Sequence, residues 1–258
     1  MPLVKPMVGR LLVAALGLCC AFGAVAQALE VAKARLIRAN PALTPLSDWN
    51  PRESLVRGVY TLHDPNGSYE PYGVDSGGRM LRTNRGWQPI DGGSLGEPLE
   101  GADLKAFHAK LYANLKVEEA IPLKFGSGAK RFVLLTALDC TTCKLLERNL
   151  NKVASKLSAT IYVYPMALDY TNVQRMNTVT SLWCGPSPER GWREAMAQPG
   201  VPLPAAGGRS DSCGVRTAQH SRALARLFGS YGVPALISDD GSIRRGALNP
   251  DELIALMR

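Results

Sequence analysis

The sequence predicts an α/β domain over residues 117–258, preceded by a small α+β module and one joining helix. Three observations carry that prediction. From Val117 onward, short apolar runs alternate with segments of helical periodicity, the pattern of strands covered by helices. Residues 55–83 instead break into short strand-like pieces separated by turn signals. Between the two, Leu104, Phe107, Leu111 and Leu115 share one face of a helix from about Ala102 to Lys116. A chain of 258 residues that is 46% hydrophobic holds one large or two modest domains with a sizeable core.

The first 28 residues stand apart. Lys5 and Arg10 form a basic start, Leu11 to Val25 an apolar stretch, and Ala26-Gln27-Ala28 a small-x-small cleavage site. Together they describe an export signal cut after Ala28. The apolar stretch is shorter than the roughly 20 residues that span a bilayer. Leu18 directly before Cys19 argues against lipid attachment there. Without the signal the formal charge falls from +8 to +6, because Lys5 and Arg10 are its only charged residues. The remaining excess is dispersed with no long run of one sign, which reads as a solvated surface and gives no reason to expect nucleic acid as a partner.

In the module at 29–101, residues 30–39 read as a short helix stopped by Asn40-Pro41. A proline-punctuated stretch runs to Pro51. Leu55–Leu62 reads as a strand before the turn Asp64-Pro65-Asn66-Gly67. Ser68–Val74 reads as a second strand before Asp75-Ser76-Gly77-Gly78, and Arg79–Thr83 as a third. The Gly- and Pro-rich stretch 84–102 reads as loop. The module is too small for a large core of its own and needs a surface to pack on, a second copy of itself among the choices. The helix at 102–116 then connects module and domain, although its spacing fits a core helix equally well.

The domain at 117–258 follows as strands Ile121–Lys124, Arg131–Ala137, Thr160–Pro165, Pro234–Ser238 and Ile243–Leu248. Its helices are Thr141–Leu157, a helical insert within 171–198, Thr217–Phe228 and Pro250–Met257. The last begins on Asn249 as N-cap, with Pro250 first and Glu252 placed for a capping box.

The chemistry gathers where the strand Phe132–Leu135 gives way to the helix carrying Cys143, Leu146, Leu150, Val153 and Leu157. That junction is Cys140-Thr141-Thr142-Cys143. Cys140 is expected at the exposed first turn and Cys143 one turn inward. Partial positive charge and free N–H groups at a helix start favour a thiolate, which makes Cys140 the candidate nucleophile and Cys143 the resolving thiol. A structural disulfide or half of a zinc site are the other readings. Zinc takes about four ligands, and no second Cys-x-x-Cys or tight His cluster exists, so no metal or other cofactor is expected. Asp139 sets a carboxylate beside Cys140. It is expected as a helix cap turned to solvent; aimed inward it would raise the thiol pKa.

The junction, with Gly232-Val233-Pro234 before a later strand, resembles the thioredoxin fold. Thr180-Ser181-Leu182-Trp183-Cys184 and Asp211-Ser212-Cys213 within a helical insert are similar to the periplasmic disulfide isomerase family, the DsbC/DsbG type. So are Arg57-Gly58-Val59-Tyr60 and Gly73-Val74-Asp75-Ser76-Gly77-Gly78-Arg79, which resemble that family's N-terminal, cystatin-like dimerisation module. The resemblance implies a thioredoxin-like catalytic domain with a helical insert, in a V-shaped periplasmic homodimer. It implies thiol:disulfide interchange on misoxidised exported proteins and a membrane partner that keeps the site reduced.

The resemblance also assigns residues. Pro234 is implied to be cis beside the active pair, with the Val233 backbone free to pair with a substrate strand. Thr141 and Thr142 stand where the family usually has Gly-Tyr or Pro-Tyr, and Val233 where it more often has Thr, so both positions bear on potential and partner choice. Cys184 and Cys213 are expected as a structural disulfide worth about 3–4 kcal/mol by loop closure, with a second redox pair as the rival. Trp183 and Trp192 read as core aromatics. Two functions outside the isomerase class stay open: a dedicated thiol oxidoreductase for assembly of a secretion or conjugation apparatus, and a non-catalytic periplasmic chaperone.

Overall fold

The computed structural model describes residues 49–63, 72–91, 94–197 and 213–258, and scattered positions within 30–44. The expected export signal, the 64–67 turn and Asp211-Ser212 lie outside the described residues. Glu30, Val31, Lys33, Ala34, Ile37 and Arg38 are helical, where a helix was expected.

Six strands form an antiparallel meander in sequence order: β1 (Asn50–Glu53), β2 (Val59–His63), β3 (Tyr72–Asp75), β4 (Met80–Thr83), β5 (Gly86–Asp91) and β6 (Ser94–Leu95). Two expectations fail here. The strand expected at Leu55–Leu62 is broken, because Gly58 adopts φ +73° and turns the chain. Leu55 and Val56 leave the sheet, and Val56 bridges to Leu115. The loop expected at 84–102 contains β5 and β6. Gly and Pro content suggested loop, but tertiary partners hold β5 in place. The Trp87 indole N–H donates to the Leu227 carbonyl at 2.6 Å, and the Gln88 amide to the Gly96 carbonyl at 2.8 Å.

Helix α1 (Gly101–Ala113) follows. Its Phe107 ring lies 4.8 Å from that of Trp87, His108 lies 5.5 Å from Phe228, and Lys105 pairs with Asp240 at 2.7 Å. One helix thus touches both halves of the chain.

The second sheet comprises β7 (Ile121–Phe125), β8 (Lys130–Ala137), β9 (Ala159–Met166), β10 (Ala235–Ser238) and β11 (Ile243–Arg245), in the order β11-β10-β8-β9-β7. Only β8 and β9 run parallel; the other pairs are antiparallel. The helices are α2 (Thr141–Val153), α3 (Val173–Cys184), α4 (Pro188–Ala197), α5 (Ala218–Leu227) and α6 (Pro250–Met257). Helix α2 stops four residues short of the expected Leu157 and tightens into a 3₁₀ turn at Ala154–Lys156. Strand β11 ends before the expected Leu248, because Gly246 takes φ +88°. The capping box on α6 is present: Asn249 Oδ1 accepts the Asp251 and Glu252 N–H groups, and Glu252 accepts that of Asn249. Trp183 and Trp192 are buried in the core.

The meander docks on the C-terminal end of α5. There the Arg226 carbonyl accepts from Arg82 Nε at 3.0 Å and the Leu227 carbonyl from Trp87. Both are carbonyls of the last helical turn, which lack an N–H four residues on within the helix; that of Arg226 also accepts the Gly229 N–H at 2.9 Å. Gly73 lets the sheet come this close, since a Cβ there would stand 2.5 Å from Leu227 Cδ2.

His63, His108 and His220 are pushed down to about 4, by burial first and then by nearby cations: Arg52 for His63 and His220, Arg82 for His108. A base with a depressed folded pKa leaves the unfolded chain binding more protons between its folded value and about 6.5, so stability rises with pH across that window. We expect the histidine contribution to stability to be complete above pH 6.5 and to be lost toward pH 4. His108, only 6% exposed, should contribute on the order of 3 kcal/mol of that loss. Urea melts across this range should show the fall, and His108→Gln should make it shallower.

Candidate functional site

Residues Phe132 to Ala137 of β8 are buried in sequence, so the strand crosses the core and delivers its last residue to the sheet's edge. The chain then turns sharply. The Leu138 N–H donates to the Met166 carbonyl at 3.2 Å and the Cys140 N–H to the Ala137 carbonyl at 3.3 Å. This leaves Cys140 as the N-cap of α2, with extended φ −103° and ψ 115°. Its Sγ accepts the Cys143 backbone N–H at 3.1 Å, in the place where a capping oxygen normally sits.

Cys140 and Cys143 are bonded, with Cα atoms 5.1 Å apart. Cys143 is fully buried. Cys140 is only 5% exposed, so the expectation of an exposed first-turn cysteine is corrected. It lies just outside the helix, against the loop carrying Val233. The Val233 carbonyl oxygen is 3.7 Å from Cys140 Sγ, and the Val233–Pro234 peptide is cis. Thr141 and Thr142 are exposed beside them.

Asp139 is not a solvent-facing cap. Cys140 takes the cap position one residue later. Asp139 Oδ1 accepts the Leu168 N–H at 2.9 Å, and Oδ2 pairs with Arg175 Nη1 at 2.9 Å, with the side chain 13% exposed. Its charge is therefore matched by a cation from α3. The sequence does not reveal Arg175 as that partner, since 36 residues separate the two.

Glu147 is the other residue that sequence reasoning missed. One turn beyond Cys143 and only 3% exposed, its carboxylate accepts the Trp192 indole N–H at 2.9 Å. Burial raises its pKa, opposed by that hydrogen bond and by Arg193. Its place in the buried stripe of α2 was the available signal.

Cys184 and Cys213 are bonded, with Cα atoms 5.7 Å apart, and tie the end of α3 to the turn before α5. Among the described residues no group of His, Cys, Asp or Glu is arranged to hold a metal ion.

No family model and no curated protein matches the sequence. Solved structures do. The chain is similar to a linker-deletion mutant of ScsC from Proteus mirabilis, at 15% identity and TM-score 0.50, over 60% of this chain and 81% of that one. It is also similar to a disulfide interchange protein from Neisseria gonorrhoeae at 23% identity and TM-score 0.46, over 55% and 98%. A periplasmic thioredoxin-like protein from Salmonella enterica serovar Typhimurium matches at 18% identity and TM-score 0.46, over 62% and 96%. The likeness to ScsC is one of fold. Together with the strand order and the Cys-x-x-Cys helix start, it makes the fold of the second sheet and its helices thioredoxin-like.

Two measurements test this geometry. After reduction, Cys140 should be alkylated at least about tenfold faster than buried Cys143, as the positions of thiols at a helix mouth and in a core require; mass mapping of a time course reads the order. Glu147→Gln should be more stable than the wild type at pH 7, with the advantage vanishing as the pH drops toward 4.5, because a carboxyl with a raised folded pKa loses stability as it ionises. Paired urea melts at the two pH values decide it.

Proposed function

We propose that this chain is a thiol:disulfide oxidoreductase working through Cys140 and Cys143. One observation carries the reading: the Cys143 N–H points at Cys140 Sγ from 3.1 Å, so on reduction that N–H and the helix start stabilise a thiolate there. The Cys140 thiolate attacks one sulfur of a substrate disulfide. The Cys140–substrate bond forms, the substrate's own S–S bond breaks, and the displaced sulfur leaves as a thiolate that takes up a proton. Attack by Cys143 on Cys140 then releases reduced substrate and an oxidised enzyme. Attack by another substrate thiol instead releases rearranged substrate and a reduced enzyme. The first course is reduction, the second isomerisation.

The Val233 carbonyl, beside the sulfur, suits main-chain pairing with an extended substrate. The resemblance to the DsbC/DsbG type extends the proposal to isomerisation of misoxidised exported proteins in the periplasm, following export on the signal ending at Ala28. It also extends it to a membrane donor of electrons and to a homodimer paired through the N-terminal module. Sedimentation of the mature chain tests the homodimer by itself.

A second reading has its own support. Leu145, Leu168, Val173 and Tyr231 are 41–69% exposed, and all four belong to elements that border the site. Such apolar exposure fits a chaperone. Refolding of scrambled ribonuclease and suppression of aggregation, each with wild type and Cys140→Ala, separate the readings. The oxidoreductase reading expects the refolding rate to fall to background in Cys140→Ala. Cys143→Ala should retain part of the isomerisation and accumulate mixed disulfide. Suppression of aggregation that survives Cys140→Ala, with no refolding activity in the wild type, would favour the chaperone.

A further inference from the structure

Asp139 anchors the turn that leads into Cys140. Its Oδ1 accepts the Leu168 N–H just beyond β9, beside the bond from the Leu138 N–H to the Met166 carbonyl. The anchor brings a fixed negative charge to the junction. Consecutive Cα atoms stand about 3.8 Å apart, so no rotamer takes this carboxylate more than about 10 Å from Cys140 Sγ, one Debye length at moderate salt. Left alone, the charge would disfavour a thiolate on Cys140. The Asp139 side chain is largely buried, so water screens it poorly.

Arg175 answers that charge from a position that its own helix disfavours. It stands in the first turn of α3, after the N-cap Asn172, whose Oδ1 accepts the Arg175 N–H at 3.1 Å. A helix start carries partial positive charge and suits anions, and no acid shares this turn. The guanidinium reaches Asp139 Oδ2 at 2.9 Å. Asp169, whose pKa is lowered first by its bond to the Thr171 hydroxyl, feels Arg175 as the smallest of its influences. Local helix physics does not account for a cation here, whereas the carboxylate beside Cys140 does.

We propose that Arg175 is a positioning residue for the redox chemistry: by holding the Asp139 charge it keeps Cys140 acidic and the Cys140–Cys143 bond readily reduced. The proposal rests on Cys140 being the nucleophile. When two glutathione thiols reduce the bond, one glutathione disulfide forms, Cys143 takes one of their two protons as a thiol, Cys140 is left as a thiolate and the other proton goes to water. Whatever disfavours that thiolate shifts the balance back toward the bonded pair. Other ionisable groups border the junction: Lys144 and Glu147 on α2, Asp169 and Tyr170 after β9, Arg222 and Arg226 on α5, and Tyr231 before Val233. They are the same in every variant below and drop out of the differences.

The test compares the reduced full chain with Arg175→Gln, Arg175→Lys, Asp139→Asn and the double variant Asp139→Asn/Arg175→Gln. Alkylation of Cys140, followed by mass mapping between about pH 4 and 9, gives the pH at which the thiol is half ionised. We expect that midpoint to rise by about 0.5–1 in Arg175→Gln, where the carboxylate is left alone. Arg175→Lys should recover at least half of the rise, because the charge is kept. Asp139→Asn should lower the midpoint, and the double variant should return it close to the wild-type value. At about pH 8 the constant for reduction by glutathione should fall about three- to tenfold in Arg175→Gln and rise in Asp139→Asn. Asp139→Asn reads the same coupling from the other side if Arg175→Gln does not fold. A midpoint and a constant unchanged in Arg175→Gln overturn the proposal. So does a rise that persists in the double variant, since Arg175 would then act by packing the insert and not through Asp139. Midpoints that move as expected in a chain inactive on both reduced and scrambled ribonuclease keep the role of Arg175 and remove the oxidoreductase reading. Activity on ribonuclease with unmoved midpoints does the reverse.

Discussion

A sulfur in the place of a helix-capping oxygen is the constraint on which the rest of this molecule depends. Cys140 accepts the Cys143 N–H at the mouth of α2, and everything around it holds that mouth in position. The buried strand β8 brings the chain to the sheet's edge. The parallel neighbour β9 anchors the turn through the Met166 carbonyl. Helix α6, which starts with its own capping box, packs on α2 from behind, and the Asn149 amide fastens α2 to the Leu248 carbonyl at 2.9 Å. The pattern is that of α/β sheets generally, in which chemistry gathers beyond the carboxyl ends of parallel strands.

The carboxylate next to that sulfur in the chain is neutralised by a partner. A carboxylate one residue upstream would oppose a thiolate if left alone. Asp139 is instead matched by Arg175 and by the Leu168 N–H, so the insert that carries Arg175 has an electrostatic tie to the Cys140–Cys143 junction. The Cys184–Cys213 bond closes the far end of the same insert. Glu147 stands deeper, in an apolar setting that favours its neutral form.

Much of the thioredoxin-like unit was legible in the sequence because its signals are local. The apolar run of β8, the stripe of α2 and the cap at Asn249 each depend on neighbours a few residues away, and each element stands within a few residues of its expected place. The N-terminal sheet was less legible for the opposite reason. Strand β5 exists in a Gly- and Pro-rich stretch because Trp87 reaches a carbonyl 140 residues on, and no local pattern encodes that. Asp139 was misread for the same cause. A cap is a local device, whereas its ion pair with Arg175 is a long-range one. The exposure of Cys140 was overestimated because the Val233 loop that shelters it arrives from 93 residues away.

The grip of Arg82 and Trp87 on the end of α5 bears on how such a chain can evolve. Recombination that joined this thioredoxin-like half to a foreign N-terminal sheet would strip the Leu227 carbonyl of the Trp87 N–H, at about 1–3 kcal/mol if it stayed buried and unsatisfied, and would take one of its donors from the Arg226 carbonyl. The hybrid would also lose the hydrogen bond that Arg82 Nη2 donates to the Tyr231 hydroxyl at 3.0 Å. The two halves are therefore expected to descend as a unit, with changes at 82 or 87 answered by changes at 226 to 231 rather than tolerated singly.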